Sequence, residues 1–217
     1  MATPLFGQNL STSQPVEAKP QAAEVKMQAA DTKSAAAPSA DDMQKMMAQM
    51  VELSKLNDNH KLLGSLAGTW NCAIKSWMDP KAPPIETKGT AVRKAAMDGR
   101  FFVGDFTGSF KMPGADGKMK EMPFKGMSIE GYDNVKQKFF SNWIDNMGTG
   151  CMMSEGTYDP SSKTFTYTGE YEPMPGAKIK ARELLKITDN DHHVFEMYED
   201  RGQGEMKSME ISYSRKK

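Results

Sequence analysis

The sequence predicts an all-β protein, an antiparallel barrel of about ten strands preceded by one short α-helix and an N-terminal tail. From residue 68 onward, apolar side chains recur at every second position, which is the period of a half-buried strand. Short turns rich in Gly, Asp, Asn or Pro join these stretches, and no long helical pattern separates them, so parallel crossovers are not expected. A flat sheet of this size would leave two long edges, and closure into a barrel removes both.

The residues before the barrel predict a tail followed by a helix. Residues 1–40 are rich in Ala, Gln, Ser, Pro, Lys and Glu and nearly lack aromatic and branched apolar residues, so we expect them to be disordered. Residues 41–57 predict an amphipathic helix, because acidic groups favour a helix N-terminus and apolar residues follow at helical spacing. We expect its methionine face to pack on the barrel, and binding of Cu(I) by these methionines is the alternative. The apolar face is Met43, Met46, Met47, Met50, Val51 and Leu53 or Leu56.

The barrel is predicted to occupy residues 58–217 and to begin its first strand at Gly68-Thr69-Trp70. Glycines alternate with phenylalanines in the third predicted strand, which indicates strong curvature. Residues 112–121 predict a long loop, a candidate for a lid or a rim loop. The predicted strands span 68–78, 87–97, 100–110, 122–132, 137–145, 149–158, 164–171, 177–188, 193–199 and 205–215.

Charge and hydropathy exclude two classes of function. Lys+Arg and Asp+Glu both number 28, which argues against a dedicated nucleic-acid-binding protein. The longest apolar runs are far shorter than the roughly 20 residues that a membrane-spanning helix needs. The first residues lack the basic and apolar regions of a signal peptide, so we expect a cytoplasmic protein as written, or an exported, periplasmic one if the start is truncated. Nothing in the sequence specifies an oligomeric state.

The two cysteines, Cys72 and Cys151, match no zinc-binding spacing. Two buried free thiols are the favoured interpretation. A single disulfide, which would require an oxidising compartment, is the alternative.

Polar residues on otherwise apolar strand faces are the candidate site. If these faces point inward, the interior holds Arg93, and we expect an ion pair with Glu183 or Glu196 because an unpaired buried carboxylate is costly. Such groups would orient the polar part of a largely apolar ligand in a cavity of at least about 300 Å³. The alternatives are that these are structural pairs or that the faces point outward. The predicted ligand-binding residues are Arg93, Asn142, Trp143, Glu183, Glu196 and Tyr198.

Non-catalytic binding of a small, largely apolar molecule is the favoured function. A barrel enzyme would use Glu183 and Glu196 as an acid–base pair, but the chain has no Gly-x-Ser-x-Gly and no His-Glu-x-x-His motif. The adjacent His192 and His193 are interpreted as surface residues, and His193 is the only strand candidate for a haem ligand. No catalytic residue, metal or cofactor is therefore predicted. A scaffold protein with a filled barrel is the third alternative.

Several short motifs follow one another between residues 55 and 215. They are His60-Lys61-Leu62-Leu63, Gly68-Thr69-Trp70, Asp98-Gly99-Arg100-Phe101, Gly131-Tyr132-Asp133, Trp143-Ile144-Asp145, Gly156-Thr157-Tyr158-Asp159 and Met197-Tyr198-Glu199. As an ordered set they resemble a bacterial family of lipocalin-like proteins catalogued as domain of unknown function 1579. The resemblance implies a calycin-type barrel and supplies no activity.

The two ends of the predicted barrel also resemble those of lipocalins, which place an arginine from the last strand over a tryptophan of the first. Here Trp70 and Arg215 occupy the matching ends, although the intervening lipocalin loop signature is missing. An indole at a barrel floor needs a partner for its N–H, and a guanidinium over its face adds about 0.5–2 kcal/mol. We therefore predict that Trp70 and Arg215 close the barrel.

Overall fold

The structure, a computed structural model, describes residues 38–114 and 116–217, so all but the last few residues of the predicted disordered tail lie outside the described residues. In the described part, two helices precede ten strands, and a 3₁₀ turn, Met97–Gly99, joins the second strand to the third. The helices are α1 (Ala40–Leu53) and α2 (Asp58–Ser65). The strands are β1 (Gly68–Ser76), β2 (Ile85–Ala96), β3 (Phe101–Pro113), β4 (Met119–Asp133), β5 (Lys138–Asp145), β6 (Met152–Asp159), β7 (Thr164–Tyr171), β8 (Ile179–Ile187), β9 (His192–Asp200) and β10 (Glu205–Arg215).

The strands form a closed barrel, which confirms the predicted fold class. Each strand pairs antiparallel with its neighbours in sequence, as short connections require. The last strand returns to the first, and the β1–β10 register places Trp70 opposite Arg215 and Ile74 opposite Ile211. No strand of the barrel is left with an unpaired edge.

The prediction of a long loop at residues 112–121 is wrong. Strands β3 and β4 continue as a long hairpin that pairs Met112 with Lys120 and leaves only a tight turn between them. The turn is closed by a hydrogen bond from the Gly114 amide to the Lys118 carbonyl, 2.8 Å long. It also uses Gly117 at φ 73°, a left-handed conformation that glycine adopts without strain. The loop was predicted because the segment is rich in Pro, Gly and Asp. Hydrogen bonding between β3 and β4 nevertheless continues through most of it and extends both strands.

One end of the barrel, here called the floor, is covered by α2. Leu63 and Leu66 are buried there against residues that point into the barrel. The helix begins in a capping box, because the Asn57 side chain accepts from the Asn59 amide and the Asn57 amide donates to His60 Nδ1. The buried residues of this core are Leu63, Leu66, Phe102, Phe139, Phe165, Tyr167 and Leu185.

Trp70 and Arg215 meet at the floor. The indole is 1% exposed and donates to the Leu66 carbonyl at 3.0 Å. The Arg215 guanidinium carbon lies 4.1 Å from the centre of the Trp70 ring, and its nitrogens donate to the carbonyls of Ala67 and Asn190, each at 2.8 Å. One side chain thus ties together the end of α2, the first strand and the turn between β8 and β9.

Helix α1 differs from its prediction in length and in packing. It ends at Leu53 rather than near Asn57, because Asn57 caps α2 instead. Its methionine face was expected to pack on the barrel, yet Met43 is 56% and Met50 63% exposed within the described part of the chain. The apolar side chains that pack against the floor come from α2 and the residue after it. The expectation that the methionine face of α1 packs on the barrel is therefore wrong. Neither helix of the described residues is long and apolar enough to cross a lipid bilayer.

Both cysteines are free thiols, as favoured from the sequence, but only Cys72 is buried and Cys151 is exposed. Cys72 lies opposite Tyr213 on the inner face, where burial raises the pKa of its thiol to about 12. The thiol of Cys72 is therefore protonated at neutral pH.

The position of Trp70 predicts a large loss of stability on truncation. Trp70→Ala should lower the free energy of unfolding by about 3–5 kcal/mol, because the cavity would lie where α2 meets the barrel. Urea unfolding measures this, with Met78→Ala as the control, since that side chain is 64% exposed and should change stability by no more than about 0.5 kcal/mol. Equal unfolding midpoints for the two variants would contradict the assigned role.

Candidate functional site

The end of the barrel opposite α2, here called the mouth, is lined by aromatic rings that point inward. The Trp143 ring stacks on Phe124 with centroids 6.2 Å apart and meets Phe106 edge-on at 5.0 Å. Phe110 continues the row, with its centroid 6.3 Å from that of Phe124. All four rings are only half-buried although they face the interior. They form an apolar lining that remains accessible to solvent.

Trp143 is held in place by its neighbours. Gly126 lies directly beneath the indole, and a Cβ atom there would collide with the ring. The indole nitrogen donates to Asp145 Oδ2 at 2.8 Å, and Asp145 Oδ1 accepts from the Met147 amide at 2.9 Å. The orientation of the ring across the barrel wall is therefore fixed from two sides.

Below the mouth, a buried ion pair joins Arg93 of β2 to Glu130 of β4. Ser128 donates to Glu130 Oε1 at 3.1 Å, and all three side chains are buried. The intervening strand contributes Gly104, where a Cβ atom would lie 2.5 Å from Ser128 Oγ, so only glycine leaves room for the contact. The expectation that Arg93 pairs with Glu183 or Glu196 is wrong, because Glu130 takes that place.

Glu183 is the second carboxylate at this level and points inward from β8, opposite Tyr167. Ser154 of β6 donates to Glu183 Oε1 at 2.8 Å. The strand between them carries Gly169, whose missing side chain allows the contact, since a Cβ atom there would lie 2.7 Å from Ser154 Oγ. Burial raises the pKa of Glu183, and the hydrogen bond from Ser154 opposes that rise.

These polar residues form a continuous row across neighbouring strands, here called the polar belt. Ser141 completes it, because the register places it opposite Glu130 on one side and Ser154 on the other. The sequence prediction included two residues of this belt, Arg93 and Glu183, and missed the serines and Glu130. The only signal for the missed residues is that they alternate along their strands with outward-facing apolar residues. The polar belt is Arg93, Ser128, Glu130, Ser141, Ser154 and Glu183.

Some side chains that point into the barrel remain accessible to solvent. Glu183, Phe195 and Met197 all point inward, as their cross-strand partners show. Each nevertheless retains accessible surface, although Ala181 and Leu185 beside Glu183 are buried. A side chain that faces inward and remains accessible borders space that water can reach.

Two concave regions lie elsewhere on the surface. One of about 340 Å³ lies between the α1–α2 connection and the β4–β5 turn, beside Leu56 and Asn134. The other, about 510 Å³, opens on the outer side of β5 and β6, beside Phe140, Asn142 and Met153. Neither is the internal cavity that the sequence prediction required.

Three of the predicted ligand-binding residues, Asn142, Glu196 and Tyr198, face outward and so do not belong to the barrel interior. Asn142 lies opposite Ile129 and Met153, both exposed. Glu196 forms an ion pair with Lys207 and accepts from the Tyr198 hydroxyl at 3.1 Å.

The outward position of Tyr198 is marked by the Arg182 guanidinium carbon, which lies 4.2 Å from the centre of its ring. Apolar residues occur on both faces of β5 and β9, so a period of two could not tell inside from outside. Glu183 and Glu196 consequently lie on opposite sides of the barrel wall and cannot act on one substrate atom as the acid–base pair of the enzymatic alternative.

His193 was predicted at the surface, and that prediction is wrong. It is 1% exposed, stacks on Tyr213 with centroids 4.3 Å apart and meets Trp70 edge-on at 4.3 Å. Within the described residues neither ring nitrogen has a hydrogen-bond partner. Burial lowers the pKa of His193 to about 3, assisted by the charges of Arg93 and Arg215, so the ring is neutral. His192, its neighbour, is exposed as expected.

The described part of the chain contains no group of three His, Cys, Asp or Glu residues that could hold a metal ion.

The molecule is thus a closed ten-stranded antiparallel barrel with a covered floor and an aromatic mouth. The chain belongs to the family described as protein of unknown function (DUF1579), whose model matches residues 55–215. The match includes all ten strands and helix α2 and leaves α1 outside. The curated proteins contain no match to this chain. The family description carries no activity.

The buried ion pair predicts an asymmetric response to mutation. Glu130→Gln should cost about 3–5 kcal/mol of unfolding free energy, because it leaves the Arg93 charge buried and unpaired, whereas Arg93→Met with Glu130→Leu should recover most of that loss. Urea unfolding of the three proteins measures both effects. Glu196→Gln, on the outer face, is the matched control and should cost no more than about 1 kcal/mol. A Glu130→Gln protein as stable as this control would contradict the burial of the pair.

His193 predicts a pH dependence of stability. Its folded pKa of about 3 lies below the value of about 6.5 in an unfolded chain, so the neutral ring stabilises the fold above pH 6.5 and this contribution is lost as the pH falls from 6.5 toward 3. Between pH 5.5 and 4 the wild type should lose about 1.4 kcal/mol per pH unit more than His193→Phe. Urea unfolding at several pH values measures the difference, and His192→Phe is the control. Equal slopes for wild type and His193→Phe would refute the assignment.

Proposed function

We propose that the barrel binds a small, largely apolar molecule at its mouth without catalysing a reaction. The observation that carries this proposal is the row of inward-facing, half-exposed rings of Phe106, Phe110, Phe124 and Trp143. Accessible apolar surface is costly in water, and concave apolar sites with few polar groups are typical of ligand binding. A ligand that covered these rings would remove that surface from water.

Because the floor is closed, a ligand could enter the barrel only through the mouth. Leu63, Leu66 and Trp70 fill the end beneath α2, and Arg215 covers the Trp70 ring. A molecule that reached the interior would therefore pass the aromatic rings first.

The polar belt supplies the small number of polar groups that orient a ligand in such a site. Of the residues predicted from the sequence, Trp143 lines the mouth, Glu183 borders the accessible space, and Arg93 is already neutralised by Glu130. The enzymatic alternative loses support, because its two carboxylates lie on opposite faces of the wall.

A fluorescent apolar probe, N-phenyl-1-naphthylamine, tests the proposal. The probe should bind saturably with one site per chain, and Trp143→Ala should weaken binding by about tenfold or more, because the indole is the largest ring of the mouth. Phe140→Ala is the matched control, since Phe140 lies next to Phe139 on the outer side of the same strand and lines the external groove instead.

Fluorescence titration measures both variants, and circular dichroism checks that they fold. The proposal fails if the probe does not saturate, or if Phe140→Ala weakens binding as much as Trp143→Ala. Native mass spectrometry of the purified protein should in addition reveal a copurifying small molecule, released on unfolding.

A further inference from the structure

Among the described residues, four carboxylates point into the barrel, and three of them have fixed donors. Glu130 pairs with the Arg93 guanidinium, and Asp145 accepts from the Trp143 indole and a backbone amide. Glu199 is buried and accepts from the Tyr171 hydroxyl at 2.7 Å and from the Arg201 guanidinium at 2.6 Å. The interior thus provides partners for these three carboxylates.

Glu183 is the exception. Within the described residues its only partner is the Ser154 hydroxyl, which donates to Oε1. The flanking Ala181 and Leu185 and the cross-strand neighbour Met197 offer no charge and no donor. Oε2 has no partner among the described residues, and the side chain borders the accessible space. The one hydroxyl donor leaves Oε2 without a partner, and a largely buried carboxylate oxygen is costly unless a cation or a further donor meets it.

The aromatic rings of the interior suit a cation. Trp143 and Phe106 lie at the mouth, and Tyr167 is the direct cross-strand neighbour of Glu183. Aromatic faces attract an ammonium or guanidinium group, and the attraction grows when the cation leaves water. Arg93, the one guanidinium of the polar belt, is bound to Glu130, and no ion pair to Glu183 forms among the described residues.

We infer that the ligand is an apolar, aromatic or aliphatic amine whose protonated nitrogen donates a hydrogen bond to the free oxygen of Glu183. This inference rests on the proposed function and specifies the chemical class of the ligand. The apolar body lies among the rings of the mouth, and the ammonium group supplies the charge that the polar belt lacks at Glu183.

Three probes of matched shape test the inference: 1-naphthylmethylamine, 1-naphthylmethanol and 1-naphthoate. Calorimetric titration at pH 7 should give a dissociation constant about tenfold or more lower for the amine than for the alcohol, with the carboxylate weakest. In Glu183→Gln the amine should lose about tenfold or more, while the alcohol changes by less than about threefold. Glu196→Gln, an outward carboxylate on the next strand, should leave all three constants unchanged.

The outcomes separate the two proposals. If the alcohol or the carboxylate binds the wild type as tightly as the amine, or if Glu183→Gln keeps the full preference for the amine, the inference is wrong while the binding site at the mouth stands. If none of the three probes binds, both the inference and the proposed function fail. Glu183→Asp retains the charge and should still prefer the amine, so the role of the carboxylate can be decided even if the glutamine variant does not fold.

Discussion

The guanidinium of Arg215 is the interaction on which the rest of the barrel depends. Its nitrogens bond the carbonyls of Ala67 and Asn190, and its carbon lies over the Trp70 ring. Because Trp70 lies in the first strand and Arg215 in the last, this one contact joins the two ends of the barrel domain and holds α2 beneath them. Closing the floor in this way leaves the mouth as the end where inward-facing apolar rings remain accessible.

Above the floor, missing side chains shape the interior. Gly126 leaves room for the Trp143 indole, Gly104 for the Ser128 hydroxyl beside the Arg93–Glu130 pair, and Gly169 for the bond between Ser154 and Glu183. In each case a glycine of one strand lets side chains of other strands meet over it. The polar belt and the aromatic mouth are therefore properties of strand register, which brings each glycine beside the residue that needs the space.

The barrel could be predicted from the sequence because a period of two and short turns are local signals, and β7 and β10 have the predicted bounds. The site could be predicted only in part. Apolar residues occupy both faces of β9, so no local signal in the sequence showed that Glu196 faces outward whereas Glu183 of β8 faces inward. The partner of Arg93 depends on pairing across three strands. The helix that covers the floor, α2, has one buried leucine, Leu63, with Leu66 just past its end, which is a weaker signal than the longer apolar stripe of α1. These features are decided by register and packing rather than by local pattern.

The central claim is that the floor is closed and the mouth is the binding site, and the three tryptophans report on it directly. Indole ¹⁵N–¹H spectra of the labelled protein, recorded with and without saturating 1-naphthylmethylamine, measure which rings the probe reaches. We expect a shift of the Trp143 signal with the Trp70 signal unchanged. A shift of Trp70, or an unchanged Trp143, would contradict it.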